Sequence, residues 1–429
     1  MNLEHSNMSL LLKLKNKIKQ KGLKTTVQNI CSSLSYRTVS YPRRLKTTYK
    51  VLSSLPKLIQ QIAERFNADP ISYLNEVRDK TLAYIESNHL PEISIGAYSY
   101  KNGGTPVLYA SCYAALTMHL YGRLQSLTES AKKEWADYIL SFQCDDGLFR
   151  DPVIACPLAE EADWWGWRHL TLHVLMALSA LGAVAARPFA MIKPFRKKGF
   201  MSQWLATRNW ENDPAGVSNE VQNYGTILQY ARDFQNETWC QDALNEMYDW
   251  LDKTQDSGTG LWGSRFDDPV SLSNGVQTGY HLWLLYFYDR RPIQYTERII
   301  DSCLKTQNRL GGYGVQLNSS ACEDIDSIDP LVRLSHLTDY RNEDIRQSLE
   351  RALLWILANQ NPDGGWVFRR YEAFQYGHPN MLARSEESSM FPTWFRSLTL
   401  AYISQEINDI FPKYFWFKGP GHQFWESSK

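Results

Sequence analysis

Cysteine is scarce in this sequence, and the cysteines that are present show no paired spacing. Seven cysteines are scattered through the 429 residues, and no C-x-x-C pair occurs among them. A disulfide framework or a zinc ribbon needs closely spaced pairs, so neither is expected. The chain also lacks a P-loop and the G-x-G-x-x-G, H-E-x-x-H and G-x-S-x-G motifs, which argues against nucleotide-driven chemistry and serine hydrolysis. We therefore expect a cytoplasmic protein that uses neither a cofactor nor a metal.

Long apolar runs are lacking as well. The longest stretch, residues 170–190, contains His173 and Arg187 and is typical of a buried helix followed by a turn. The apolar run Met8–Leu12 is too short for the core of a secretory signal, and alternating lysines follow it. The sequence therefore predicts neither a signal peptide nor a membrane-spanning helix.

The formal net charge is zero, but the charges are unevenly distributed. Residues 1–60 hold twelve Lys or Arg and a single acid, whereas the remainder holds 34 basic and 45 acidic residues. A short basic amphipathic helix over residues 8–30 would give weak peripheral contact with an anionic membrane. Because this basic segment has no interleaved aromatics for base stacking, we expect no nucleic-acid partner.

Aromatic residues, by contrast, are abundant, with 15 Trp, 24 Tyr and 17 Phe. Six of them end a repeated turn, in which a glutamine is followed by a glycine-rich segment and then by an aromatic residue. Four copies are Gln143–Phe149, Gln255–Trp262, Gln307–Tyr313 and Gln360–Trp366, and two weaker copies without the glutamine end at Tyr98 and Trp210. The six aromatic residues lie 51 to 61 positions apart, a length that accommodates two helices and their connections.

Each repeat has apolar residues at helical spacing on both sides of the turn. The segment 345–360, before the last turn, has one apolar face, whereas the segment 280–288, after an earlier turn, is apolar and aromatic nearly all round. This alternation predicts an outer and an inner ring of helices, and therefore an all-α protein with an (α/α)6 toroid, a barrel of six helical hairpins. The predicted organisation is a basic helical segment at 1–74, the toroid at 75–405 and an aromatic-rich tail at 406–429.

The turn Gln360–Trp366 resembles the QW motif of the squalene–hopene cyclase and protein prenyltransferase superfamily. The resemblance covers roughly residues 75–405. In that superfamily such repeats build an (α/α)6 toroid, in which the glutamine caps one helix and the aromatic residue stacks beside it. The resemblance implies a terpenoid cyclase-like or prenyltransferase-like enzyme, with the glutamine and the aromatic residue in structural roles.

A second resemblance concerns the four acids between Glu323 and Asp329. The segment is similar to the D-x-D-D-[TS]-A signature of class II terpene cyclases, with Asp324 and Asp326 at the first two aspartates and Ser327 at the third. That resemblance implies that Asp326 is the proton donor. Carboxyl groups crowded in an apolar setting cannot all ionise, so the pKa of one of them rises. We expect Asp326 to be the catalytic acid, with Asp324 and Glu323 as the catalytic residues that tune it.

Inner helices that run parallel bring their first turns to one rim of the barrel, so side chains in those turns converge on a single cavity. The candidate substrate-binding residues are Trp164, Trp165, His169, Asn219, Gln222, Asn274, Gln277, His281, Glu387 and Trp394. The tryptophans are suited to stabilising a cation through their π faces, whereas the amides are better suited to sugar hydroxyls. The long connection at 367–385, which carries Arg369 and Arg370, is typical of a lid or a binding loop.

Three functions remain open at this point. The first is proton-initiated, class II-type cyclisation of an isoprenoid. The second is a carbohydrate-active toroid, a lyase, hydrolase or epimerase acting on a surface glycan, because carboxylates near His169, His173 or His281 can perform general acid–base catalysis. The third is a non-catalytic toroid that binds protein or lipid. A cavity walled by apolar aromatics favours an isoprenoid partner, and one walled by hydrogen-bonding side chains favours a glycan.

Overall fold

The computed structural model describes residues 41–425, except residues 264, 315 and 408 and the side chains of residues 41–48. The predicted amphipathic helix at 8–30 lies outside the described residues. The chain divides into two compact units, residues 1–55 and 56–429. Helix α1 spans Tyr41–Ala68, and everything that follows concerns the second unit.

Twelve helices of the second unit alternate between an outer and an inner position. The outer helices are α2 (Pro70–Ser87), α4 (Glu129–Leu140), α6 (Phe200–Ala206), α8 (Cys240–Thr254), α10 (Thr296–Lys305) and α12 (Asn342–Leu357). The inner helices are α3 (Leu108–Leu120), α5 (Trp167–Leu181), α7 (Pro214–Phe234), α9 (Pro269–Tyr288), α11 (Ala321–Ser335) and α13 (Met390–Ile403). A 3-10 helix, Ala190–Arg196, supplements the short α6 in the outer layer.

The inner helices form a closed ring. Each packs against the next along the chain, and α13 packs against α3, which closes the circle. The outer helices bury one face, as α8 does with Leu244, Met247 and Leu251, whereas every residue of α13 is buried. This is the (α/α)6 toroid that the repeat predicts, because an amphipathic outer helix needs an apolar inner helix to cover its buried face.

The turn glutamines fix the joints between repeats. The side-chain amides of Gln143, Gln255, Gln307 and Gln360 each donate to the carbonyl oxygen of the glycine in their own turn, at 2.8–3.1 Å. Each amide also donates to a backbone carbonyl of the next repeat, and that of Gln360 reaches Val77 of the first repeat at 3.0 Å. The glutamine therefore satisfies its own turn and ties consecutive repeats together.

The same joint seals the ring between its last and first repeats. The Trp366 indole N–H donates to Thr81 Oγ1 at 3.0 Å. Gly364 has a φ of 89°, and a Cβ there would lie 2.0 Å from the Lys80 carbonyl oxygen, so only glycine fits this turn.

Two segments enter the barrel from opposite ends. A hairpin of β1 (Phe374–Gln375) and β2 (Leu382–Ala383) follows the last turn and places Tyr376 inside. At the C-terminal ends of the inner helices, the segment Gly419–Trp425 buries His422, Gln423 and Phe424. None of the described helices is long and apolar enough to cross a membrane, and the six cysteines in the described part of the chain are free thiols.

Candidate active site

The interior of the inner ring is walled by hydrogen-bonding aromatic residues. Rings from α3, α5, α9, α13 and the two entering segments contact one another with centroids 4.5–6.4 Å apart. We call this group the lumen cluster; it comprises Tyr109, Tyr113, His169, His173, Tyr280, Tyr376, Trp394 and His422. Because its members come from four inner helices and from both ends of the barrel, they fill the centre of the ring.

A chain of hydrogen bonds runs from the hairpin through the cluster to the rim. The Tyr376 hydroxyl lies 2.9 Å from His169 Nε2, and His169 Nδ1 lies 3.4 Å from Asn223 Oδ1. The Asn223 amide nitrogen donates to the Asp163 carbonyl oxygen at 2.8 Å, which turns its oxygen towards the histidine. His169 therefore carries its proton on Nδ1 and accepts the Tyr376 proton at Nε2.

Local sequence explains why Tyr376 reaches the interior. Gly377 follows it with a φ of 71°, and a Cβ at this position would lie 2.1 Å from the Trp165 indole. The hairpin can therefore sit flat on Trp165 only with glycine here. Its far end is fastened by the Asn380 side chain, which donates to the Val153 carbonyl oxygen at 2.9 Å.

Burial sets the protonation of the cluster. It raises the pKa of Tyr109, Tyr113 and Tyr376 well above the ordinary tyrosine value, so these phenols are protonated. Burial, reinforced by the neighbouring histidines, lowers the pKa of His169 well below its ordinary value. Burial also lowers the pKa of His173 to about 4. Neutral imidazoles thus face protonated phenols, so the imidazoles can accept protons and the phenols can donate them.

Asp326, the predicted catalytic acid, lies in α11 and is 2% exposed. No hydrogen bond to its carboxyl group occurs among the residues that the structure describes. Burial raises its pKa well above the ordinary aspartate value, and the nearby carboxylates of Glu323, Asp324 and Asp329 raise it further. Both effects favour the protonated form of the Asp326 carboxyl group.

Asp324 and Glu323 have structural partners. Asp324 accepts hydrogen bonds from the Tyr313 amide, Ser319 Oγ, the Trp355 indole and Arg396 Nη1, at 2.7–2.9 Å. Glu323 forms a capping box with Ser320 at the start of α11 and an ion pair with Arg369 at 2.7 Å. Their effect on Asp326 is thus exerted through space from fixed positions.

The position of Asp324 recurs in other repeats with a different residue. In the last repeat Thr393 Oγ1 accepts the amide proton of the turn aromatic, Trp366, at 3.1 Å, and Thr171 does the same for Phe149. Asp324 is the fourth residue of α11, as Thr393 is of α13. It therefore occupies the repeat's structural acceptor position and adds a charge that Arg396 balances.

The candidate amides on α7 and α9 differ in depth. Gln222 is fully buried, whereas Asn219 is half-buried and donates to the Ala215 carbonyl oxygen of its own helix. On α9, Asn274, Gln277 and His281 share one face, and only Asn274 is exposed. His281 Nδ1 contacts Ser218 Oγ of α7 at 3.0 Å, and burial lowers the pKa of His281 to about 4. The exposure of these residues therefore decreases from Asn274, at the surface, to Gln222, which is buried.

The remaining candidates fall in three places. Trp394 is fully buried in the lumen cluster, stacked on Tyr113 at 5.2 Å. Trp165 lies beneath the hairpin, and Trp164 is 45% exposed at the rim beside Tyr376. Glu387 does not reach the lumen. It precedes α13 by three residues, pairs with Lys101 at 2.9 Å and borders a surface pocket.

Tyr109, Tyr113 and His173 lie near the starts of inner helices, which the sequence predicted to line the cavity, whereas Tyr376, Tyr280 and His422 were not among the candidates from sequence. Tyr376 lies in the connection predicted to be a lid or binding loop, which was the available signal. Tyr280 shows only the apolar pattern of an inner helix. His422 carries no local signal, because its place depends on the path of the tail. No group of three or more His, Cys, Asp or Glu side chains suited to a metal ion occurs in the described part of the chain.

The sequence matches no protein-family model and no curated protein. Among solved structures, the chain is similar to a polysaccharide lyase at 11% sequence identity, with a TM-score of 0.44. The match covers 79% of this chain and 98% of the lyase chain.

Proposed function

We propose that the lumen carries out acid–base chemistry on a sugar, and that the chain is a lyase or an epimerase acting on a uronate-containing glycan. The observation that supports this proposal is the chain Tyr376–His169–Asn223 within a wall of phenols and imidazoles. Both reactions share the removal of a proton from the carbon next to the substrate carboxylate. This step needs a positioned base.

The character of the wall favours a sugar over a hydrocarbon. The cluster holds four tyrosines, and Tyr113 and Gln222 each have a buried oxygen without a hydrogen-bond partner among the described residues. A buried polar atom without a partner costs about 1–3 kcal/mol. Hydroxyl groups of a sugar would supply such partners, whereas an isoprenoid chain would not.

The protonation of the site defines the first step. As the Tyr376 oxygen takes the proton from the carbon beside the substrate carboxylate, its own proton passes to His169 Nε2. The electron pair of the broken C–H bond moves into the carboxylate. Asn223 Oδ1, which accepts from Nδ1–H, stabilises the imidazolium that forms. This relay lets a protonated phenol act as a base at neutral pH.

A two-carboxylate hydrolase fits less well. Such enzymes need two free carboxyl groups flanking the scissile bond. Asp329 is paired with Arg333 at 2.5 Å, and Asp324 and Glu323 have the partners given above. Among the described residues of α11, this leaves Asp326 as the one acid in the lumen without an ion pair.

The proposal can be tested with the purified full-length chain and a panel of uronate polymers. Polygalacturonate, alginate, heparosan, hyaluronan and chondroitin would be followed for the ultraviolet absorbance of an unsaturated uronate. Parallel reactions in deuterated water would be followed for deuterium at the carbon beside the carboxylate. We expect one of the two signals, and we expect Tyr376→Phe to reduce it by about 100-fold or more.

The matched control is Glu387→Gln, which removes a surface carboxylate outside the lumen. It should turn over at the rate of the parent protein. Absence of both signals across the panel, or full activity of Tyr376→Phe, would exclude the proposal.

Proton-initiated cyclisation of an isoprenoid is the second candidate, and the observation that favours it is the buried Asp326, which has no ion pair among the described residues. A buried carboxylic acid of this kind can protonate an alkene. Incubation with polyprenyl substrates should then yield cyclic products, and Asp326→Asn should abolish them. Full turnover by that variant would rule this candidate out.

A further inference from the structure

The C-terminal segment Gly419–Trp425 enters the barrel from the end opposite the hairpin. The amide of His422 contacts Met176 Sδ at 3.1 Å, and the Tyr402 hydroxyl donates to the His422 carbonyl oxygen. The side chain of Gln423 donates to the Leu116 carbonyl oxygen at 3.0 Å and accepts from the Trp394 indole at 2.8 Å. These contacts reach the inner helices α3, α5 and α13, so the segment is built into the ring rather than laid over it.

His422 is held between two polar side chains of the lumen. Gln222 Nε2 donates to His422 Nε2 at 3.2 Å, and His422 Nδ1 lies 3.1 Å from the Tyr280 hydroxyl. Because Nε2 accepts, the proton of the neutral imidazole lies on Nδ1 and is donated to the Tyr280 oxygen. The hydroxyl proton of Tyr280 is then free to be donated elsewhere.

Tyr280 and His422 thus form a second tyrosine–histidine pair, with the opposite polarity from Tyr376 and His169. In the hairpin pair the phenol gives its proton to the imidazole, so its oxygen can act as a base. In the tail pair the imidazole gives its proton to the phenol, so the phenol is prepared to lose its own. The two pairs are linked through His173, whose ring lies 4.5 Å from His169 and 5.8 Å from His422.

We propose that the C-terminal segment is a component of the active site, in which Tyr280 donates the second proton of the reaction and His422 is the residue that positions it. This inference rests on the proposed function. In a lyase the electron pair held on the carboxylate returns to form the C4–C5 double bond, the C4–O4 bond breaks with its electron pair on O4, and O4 takes the Tyr280 proton. In an epimerase the proton goes to the carbon beside the carboxylate, on the face opposite the one that lost it.

The resulting Tyr280 phenolate is stabilised by the His422 Nδ1–H that already points at it. The proton gained by His169 and the proton lost by Tyr280 are exchanged with water before the next turnover. Burial keeps the pKa of Tyr280 well above the ordinary value, so the donor is protonated when substrate arrives.

The test compares variants of the full-length chain on the uronate polymer that the parent protein converts. Tyr280→Phe should lower kcat by about 100-fold or more and leave KM within a few-fold. His422→Asn keeps an amide donor near the position of the imidazole Nδ1, whereas the donor of His422→Gln lies near the position of Nε2. The Asn variant should therefore retain a larger share of the parent kcat than the Gln variant. The basic limb of the pH–rate profile should shift in His422→Asn.

The matched control is His119→Asn, because His119 is a half-buried histidine that also packs against the tail, 6.0 Å from Phe417, but lies outside the cluster. It should keep the parent kcat. Equal kcat for His422→Asn and His422→Gln, or full activity of Tyr280→Phe, would overturn the inference. Melting temperatures identify any variant that fails to fold, and the Asn and Gln variants are then compared with each other.

A measurement that needs no glycan separates this inference from the proposed function. Nitrogen-15 spectra of labelled imidazoles report which ring nitrogen carries the proton. We expect His422 to be protonated on Nδ1, and Tyr280→Phe to change its signal. An Nε2–H tautomer would overturn the inference even if glycan turnover is found, whereas an Nδ1–H tautomer without turnover supports the pair and counts against the proposed function alone.

Discussion

Asp324 and Asp326 lie two residues apart in the first turns of α11, and their surroundings give them opposite properties. Asp324 accepts four hydrogen bonds and pairs with Arg396, and both side chains are fully buried. Asp326 has no such partners among the described residues and holds its proton. The same substitution should therefore destabilise the protein at Asp324 but not at Asp326.

Asp326→Asn should leave the free energy of unfolding unchanged or raise it at pH 7. A carboxyl group whose pKa is higher in the folded than in the unfolded state makes the folded state less stable as the pH rises from the unfolded towards the folded pKa. Because the asparagine amide is neutral, the variant does not lose this stability. Urea denaturation from pH 4 to pH 8 measures the effect. A variant that is less stable than the parent protein at pH 7 would contradict it.

Asp324→Asn, in contrast, should destabilise the protein by about 3–5 kcal/mol, because it leaves the Arg396 guanidinium buried without its counter-charge. Urea denaturation at pH 7 gives the value, and Asp326→Asn serves as the control in the same helix. A loss below 1 kcal/mol would show that the pair contributes little.

At the scale of elements, the repeated turn was the most reliable sequence signal, because its parts interact only with one another and with the next repeat. Glutamine spacing predicted the turns and, through them, the helical hairpins. The hairpin β1–β2 was not predicted as a hairpin, since its two-residue strands are held by Trp165 and Val153 rather than by any strand pattern of their own. Local periodicity carries no information about such contacts.

Gln360→Ala should cost about 1–3 kcal/mol, because the buried carbonyls of Gly364 and Val77 lose their donor. Gln347→Ala, on the exposed surface of α12, is the matched control and should lie within about 0.5 kcal/mol of the parent. Thermal and urea unfolding would give both values. Equal stability of the two variants would show that the turn glutamine is dispensable.

The histidines of α5 and α9 predict how stability changes with pH. His173 and His281 have pKa values of about 4 when folded, below the ordinary value of 6.5, so the unfolded chain binds more protons between these limits. The contribution of these two histidines to the free energy of unfolding is therefore complete above about pH 6.5 and is lost as the pH falls towards 4. Asp329, whose pKa is raised to about 6, acts in the opposite direction below pH 6.

His173→Gln isolates one of these groups. The difference in unfolding free energy between the parent protein and the variant should shrink as the pH is lowered from 6.5 to 4, since only the parent retains the His173 penalty. Denaturation curves at half-unit intervals provide the measurement. A difference independent of pH would show that His173 is protonated in the folded state.

At the scale of the whole molecule, six repeats predicted a ring, but the sequence did not show what fills it. Parallel inner helices place His169 and Trp394 in the lumen cluster and Gln222 against His422. Tyr376 and His422 arrive through a hairpin and a tail, which are held by contacts between residues 200 or more positions apart. The sequence therefore predicted site residues whose positions depend on the repeat. It missed site residues whose positions depend on the hairpin and the tail.

Truncation after Lys418 should lower the free energy of unfolding by an amount on the order of 3–5 kcal/mol, the cost of emptying a buried aromatic site. It removes Phe424 and Gln423 from the floor of the barrel and leaves Arg333 without its bond to the Phe424 carbonyl. Urea denaturation and binding of a hydrophobic dye measure the change. Unchanged stability would show that the tail only covers the barrel.

The joint made by Gln360 and Trp366 joins the last repeat to the first with the same kind of bonds that connect neighbouring repeats elsewhere. The ring therefore has no structural beginning. New termini opened in a surface loop of another repeat, as in a circular permutant, would leave each of these joints intact. Duplication or loss of one whole repeat would break the joints. A closed ring, unlike an open solenoid, closes with only one number of repeats.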